Sequence, residues 1–278
     1  MNNLGINRRV GLLVLFLLCG LLVFVAPDFL KKETQVIFQI CVTVAFLLIA
    51  LRLRKNEKIG NYFQVTFAFF IVSLVTLLDN LISLSGFNSV PTVSGSLLRQ
   101  FMSTLVIVVP IVLLNKLSGN DMGSIYLQKG RLRLGLIIGL GTFLFMLVLI
   151  LIDPTGASTF FPVKEDITHD KVLTLMPVVV TFVLLNGIRE ELWFRGVFLK
   201  KLEPVLGAWP SNILIAFVFA VAHVGVEYTP VLFVFLAMTF ALGLAWGYVM
   251  QKTNSIIGSA LFHAAMDMPV ILGVFSFL

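Results

Sequence analysis

The sequence predicts an all-α, polytopic transmembrane bundle of eight to nine spans. Three observations carry that reading. The chain of 278 residues is 59% hydrophobic with a mean hydropathy of +1.03, where ordinary soluble domains are about 45–50% apolar. Only 12% of its residues are charged. Its apolar residues fall into runs near the roughly 20 that a helix needs to cross a bilayer. Together these exclude a disordered chain, a secreted disulfide scaffold and a typical cytosolic enzyme. The 26 phenylalanines suit lipid-facing surface.

Nine runs qualify. Val10–Ala26 follows Arg8 and Arg9 and carries no charge. Its basic start is like a signal sequence, but Phe24 and Ala26 make no small-x-small cleavage site. Phe16-Leu17-Leu18 ahead of Cys19 is no lipobox, so the run is read as a retained span. Thr34–Leu51, Tyr62–Leu84 and Leu97–Leu117 follow, with few charges, Asp79, Arg99 and Lys116, near the ends of the last two. Cys19 and Cys41 lie inside apolar runs without metal-ligand spacing and read as small hydrophobes. Leu132–Ile152 contains Gly135-x-x-x-Gly139, a small-residue packing seam. The segment Asp153–Asp170, with Pro154, Gly156 and Pro162, reads as a solvated loop, with a lid or access element as the functional alternative. His169 in it reads as ordinary surface. Val172–Leu199 is the exceptional span, because charges lie inside it. Pro210–Val226 follows, then Val231–Met250, which is uncharged and holds a second seam, Gly243-x-x-x-Gly247. Ile256–Phe277 is the last. The whole is expected to be one membrane domain, 1–278. Residues 1–171 have no assigned role and 172–278 carry the chemistry.

Orientation follows from the basic residues. With the N-terminus inside, the inner segments hold Arg8, Arg9, Arg52, Arg54, Lys55, Lys58, Lys116, Lys129, Arg131, Arg133, Lys200, Lys201 and Lys252. The outer segments hold only Lys31, Lys32, Arg99, Lys164 and Lys171. A cytoplasmic N-terminus in a multi-pass cell-membrane protein is therefore expected. The net charge of +6 is explained by this asymmetry, and no nucleic-acid motif or partner is indicated.

The sixth run contains Arg189-Glu190-Glu191-Leu192-Trp193-Phe194-Arg195-Gly196. Each mid-helix charge costs roughly 2.5–3.5 kcal/mol against lipid. Such groups must face one another or a cavity. Glu191 and Arg195 share a helix face, acid first, and are expected to pair. Glu190, rotated by about 100°, is left without that partner and is the candidate general base. His223 in the seventh run, and His263 with Asp267 four residues on in the ninth, add two imidazoles and a carboxylate. At about 1.5 Å per residue these groups reach a common depth, in a cavity expected to open to the inner side. Such a set activates water and stabilises an oxyanion; Glu190, His223 and His263 are alternatively a metal-ligand set. There is no His-Glu-x-x-His, Gly-x-Gly-Asp or intramembrane Gly-x-Ser-Gly.

Glu190-Glu191-x-x-x-Arg195, Phe219-x-x-x-His223 and His263-x-x-x-Asp267, in this order on three helices, resemble the CAAX protease and bacteriocin-processing (Abi) family over about residues 172–270. The resemblance implies an intramembrane endopeptidase related to the type II CAAX prenyl protease. It implies that Glu190 and His223 activate water and that His263 and Asp267 bind the oxyanion. Asn is common at the last position. An aspartate donates to an oxyanion only when protonated, so Asp267 alternatively orients His263 or touches a metal. The resemblance leaves the cofactor open between a divalent metal such as zinc and none. Partners are a peptide or lipidated-protein substrate and the bilayer, with oligomeric state open. Two other classes stay in view: an inactive immunity or scaffold protein, and a secondary transporter.

Overall fold

A computed structural model describes residues 6–55, 62–84, 92–153, 167–226, 229 and 231–278. Among these residues the chain is helical and has no strand. The helices are α1 (Ile6–Phe24), α2 (Lys32–Arg54), α3 (Phe63–Leu84), α4 (Val93–Leu117), α5 (Leu132–Ile152), α6 (His169–Glu190), α7 (Leu199–Leu206), α8 (Ala208–Val221), α9 (Leu232–Thr253) and α10 (Ile256–Ser276). Helices are imposed by the setting, since a lipid-facing backbone must satisfy its own hydrogen bonds. Local signals set the ends. Thr92, Thr168 and Ser255 cap α4, α6 and α10 through their hydroxyls. Asn254, at φ 54°, turns the chain from α9 into α10.

Among the described residues, eight helices are long and apolar enough to cross a membrane. One of them is a composite of 38 residues, His169–Leu206, in which α6 passes through a π-helical turn (Glu191–Gly196) into α7. The expected span Pro210–Val226 is corrected: α8 has 14 residues and ends at Val221, about 21 Å of helix against a hydrocarbon core of about 30 Å. The reason is local. The His223 backbone N–H turns back to the Ala220 carbonyl, and the freed Phe219 carbonyl accepts from His223 Nδ1 at 2.7 Å. The histidine therefore closes the helix.

Helix α10 is the axis of the bundle, with 61% of its apolar window buried against 17% for α1. It packs on α5 and α6 and joins two apolar cores, one around the π-turn and one between α5, α6 and α10. Both glycine seams are tight. A Cβ on Gly139 would lie 2.6 Å from the Gly258 carbonyl oxygen, and one on Gly243 would lie 3.0 Å from Arg195 Nη2. The segment 154–166, which includes most of the proposed lid and Lys164, lies outside the described residues, as does Lys58.

The basic segments gather at one end. Arg8 bonds the Tyr62 hydroxyl, and the Arg54 guanidinium lies over Phe63. Arg131 N–H reaches the Thr253 carbonyl at 2.6 Å. Lys200 donates to the Gly123 carbonyl at 2.6 Å and sits over the Tyr126 ring. Tyr126 donates to Glu203 at 3.1 Å; burial first, then that carboxylate, pushes its phenol pKa up, so it stays a neutral donor.

Candidate active site

The π-turn holds the expected ion pair. Glu191 and Arg195 are both 0% exposed, with Arg195 Nη1 2.5 Å from Glu191 Oε1. Arg195 also donates through Nε to the Gly243 carbonyl, and its guanidinium lies 4.6 Å from the Phe219 ring centroid and 5.2 Å from that of Trp246. Gly243 is glycine because a side chain there would crowd this guanidinium. Glu191 takes two more donors from α10: the Ser259 hydroxyl, on Oε2, and His263 Nδ1 at 2.8 Å, on Oε1. Its carboxylate is fully engaged and lines neither of the two cavities that Glu190 lines.

That engagement aims His263. With Nδ1 committed to Glu191, Nε2 points at two other carboxylates, 3.6 Å from Glu190 Oε2 and 3.6 Å from Asp267 Oδ2. The ring is stacked on Trp246 at 3.9 Å and 7°, and Phe219 meets it edge-on. It has little freedom to turn.

Glu190 is the last residue of α6. The expectation that it lacks a partner is corrected: Arg189 Nη2 lies 2.8 Å from its Oε1. Arg189 is itself held by Ser103 Oγ at 2.9 Å, Gln100 Oε1 at 3.2 Å and Asn186 Oδ1 at 2.6 Å. Only one carboxylate oxygen of Glu190 is thereby occupied, and the other faces His263. Glu190 and Asp267 keep 12% and 19% of their side chains exposed, unlike Glu191. Asp267 accepts from Asn186 Nδ2 at 2.8 Å. His223 spends Nδ1 on the Phe219 carbonyl, which leaves Nε2 as its free ring nitrogen.

Glu190, His223, His263 and Asp267 line one cavity of about 130 Å³ between α6, α8, α9 and α10. Glu190 and His223 also line a second cavity, of about 270 Å³, whose other walls come from α1, α2, α3, the turn Ala26–Phe29, Trp193 and Phe194 of the π-turn, and Ala222. The sequence expectation of an opening on the basic side is corrected for the larger cavity, which is walled by the end of α1, the start of α2 and the last turns of α3 and so reaches the end of the bundle away from the basic segments. The smaller cavity, lined from Phe235 to Trp246 of α9 and from His263 to Ile271 of α10, lies near the middle of those helices.

Among the described residues no three His, Cys, Asp or Glu groups stand together as a ligand set. Glu190, His223 and His263 as placed therefore do not fit a shared ion. Sequence reasoning missed Gln100, Ser103, Asn186 and Ser259. Asn186 lies one helical turn before Glu190, and Ser259 one turn before His263, so a search for polar residues at that spacing finds both. Gln100 and Ser103 give no such signal, being far away in the chain.

Residues 172–269 match the family model described as type II CAAX prenyl endopeptidase Rce1-like. Neither the curated proteins nor the solved structures include a match to this chain.

Proposed function

From the premise that the chain belongs, through residues 172–269, to the Rce1-like family of type II CAAX prenyl endopeptidases, we propose that it hydrolyses a peptide bond inside the membrane with Glu190 as general base. The N-terminus is cytoplasmic in this reading, because the basic segments share one end of the bundle. One observation carries the assignment. Glu190, partly exposed, presents a free carboxylate oxygen to the cavity that it shares with His223 and His263, while its neighbour Glu191 is spent on Arg195, Ser259 and His263.

The chemistry follows from the geometry. Water held between Glu190 and His223 Nε2 loses a proton to Glu190 and attacks the scissile carbonyl carbon, forming the C–O bond. Arg189 holds the carboxylate in place. His263, with Nδ1–H on Glu191, directs Nε2–H at the oxyanion, and Glu191 offsets the charge of the imidazolium. Glu190 passes the proton to the departing amine as the C–N bond breaks. Asp267 Oδ2 accepts from Asn186 and lies 3.6 Å from His263 Nε2, so in this reading it orients His263 rather than donating to the oxyanion.

The test is Glu190→Gln. It is expected to abolish peptide cleavage while the protein stays folded and monodisperse in detergent. Cleavage retained by this variant rejects the assignment, and full complementation of a deletion strain by it supports the inactive scaffold. Membrane proteomes of wild-type and variant strains, compared side by side, then identify the substrate.

A further inference from the structure

The larger cavity is built by the part of the chain to which the sequence assigned no role. Along its α1–α2 side the lining passes from exposed Asp28 through half-buried Gln35 to buried Gln39, and half-buried Glu190 and His223 line the same cavity. The mouth on that side is therefore at the turn between α1 and α2. The walls are polar, with Gln39 bonded to Asn80 at 2.8 Å. Asp28, Gln35, Thr76, Asp79 and Ser83 add further polar groups to the lining, which suits a peptide segment better than a lipid chain.

The mouth also has a side. It is formed by the end of α1 and the start of α2, whereas Arg8 and Arg54, at the opposite ends of these two helices, belong to the basic end. Basic segments stay cytoplasmic. We infer that the site takes a polar peptide segment from the outer face of the membrane, through a vestibule built by α1, α2 and α3. The purpose of the vestibule rests on the peptidase reading; its sidedness does not.

Cysteine accessibility tests it. In a background carrying Cys19→Ala and Cys41→Ala, single Lys31→Cys, Gln35→Cys and Arg54→Cys variants are treated with a membrane-impermeant maleimide, in intact cells and after permeabilisation. Lys31→Cys and Gln35→Cys are expected to label equally in both conditions, and Arg54→Cys only after permeabilisation. Labelling of Gln35→Cys only after permeabilisation, or in neither condition, overturns the inference. So does labelling of Arg54→Cys in intact cells. Ser83→Cys, on the opposite wall, serves as reporter if Gln35→Cys does not fold. Failure of the peptidase reading shows separately, as cleavage by Glu190→Gln with the labelling pattern unchanged.

Discussion

An ionised carboxylate buried in a membrane protein is tolerable only when donors replace its water, and Glu191 meets three of them. Removing one partner strands the other. Glu191→Gln leaves Arg195 as a buried, unpaired cation, and Arg195→Ala leaves the anion. Each is expected to lose about 3–5 kcal/mol of stability, together with activity, measured as a fall in thermal midpoint in detergent alongside a cleavage assay. Glu190→Gln contrasts with both, because Arg189 keeps Ser103, Gln100 and Asn186; its midpoint is expected to stay within about 1 kcal/mol of wild type in equivalent stability. The pairing of Glu191 with Arg195 was legible because four-residue spacing is local geometry. The clamp on Arg189 was not, since Gln100 lies 89 positions away and only tertiary packing brings it near.

At the scale of the elements, the approach of α6 to α10 sets the distance between Glu190 and His263. Gly187 makes that approach: a Cβ there would lie 2.5 Å from the Ala260 carbonyl oxygen, one turn before His263. Gly187→Val is expected to wedge the helices apart and displace His263 from Glu190. Displacement by about 1 Å costs on the order of 100-fold in rate. Turnover should therefore fall by about that factor with KM much less affected, read from steady-state kinetics on a protein shown to be folded. Hydropathy located the long helices well, because apolar runs of span length leave the backbone little choice. It overran α8 because Ala222, Val224 and Val226 stay apolar after the helix has stopped. The stop comes from one ring nitrogen taking one carbonyl, which an average over apolar residues does not register. The same closure aims the other nitrogen of His223.

At the scale of the whole molecule, the family match begins only at residue 172, and the site does not respect that boundary. The sequence showed which residues carry charge after position 172 but not what the earlier spans contribute, since their polar residues form no motif. In the structure Gln100 and Ser103 of α4 hold Arg189. Phe24 of α1 stacks on Phe194 of the π-turn at 4.2 Å, and α5 closes on α10 at Gly139. A fragment of residues 167–278 would strip Arg189 of Gln100 and Ser103 and uncover the face of α10 that packs on α5. We propose that the chain is one folding unit, so this fragment alone is expected to be recovered unfolded and without detectable cleavage. Co-expression with residues 1–153, which restores those partners and leaves the break in the connection between α5 and α6, is expected to recover a co-purifying pair with activity. Both halves survive or fail together if the unit is single; an active 167–278 fragment would show instead that the matched region is an autonomous domain and that the N-terminal helices are an accessory.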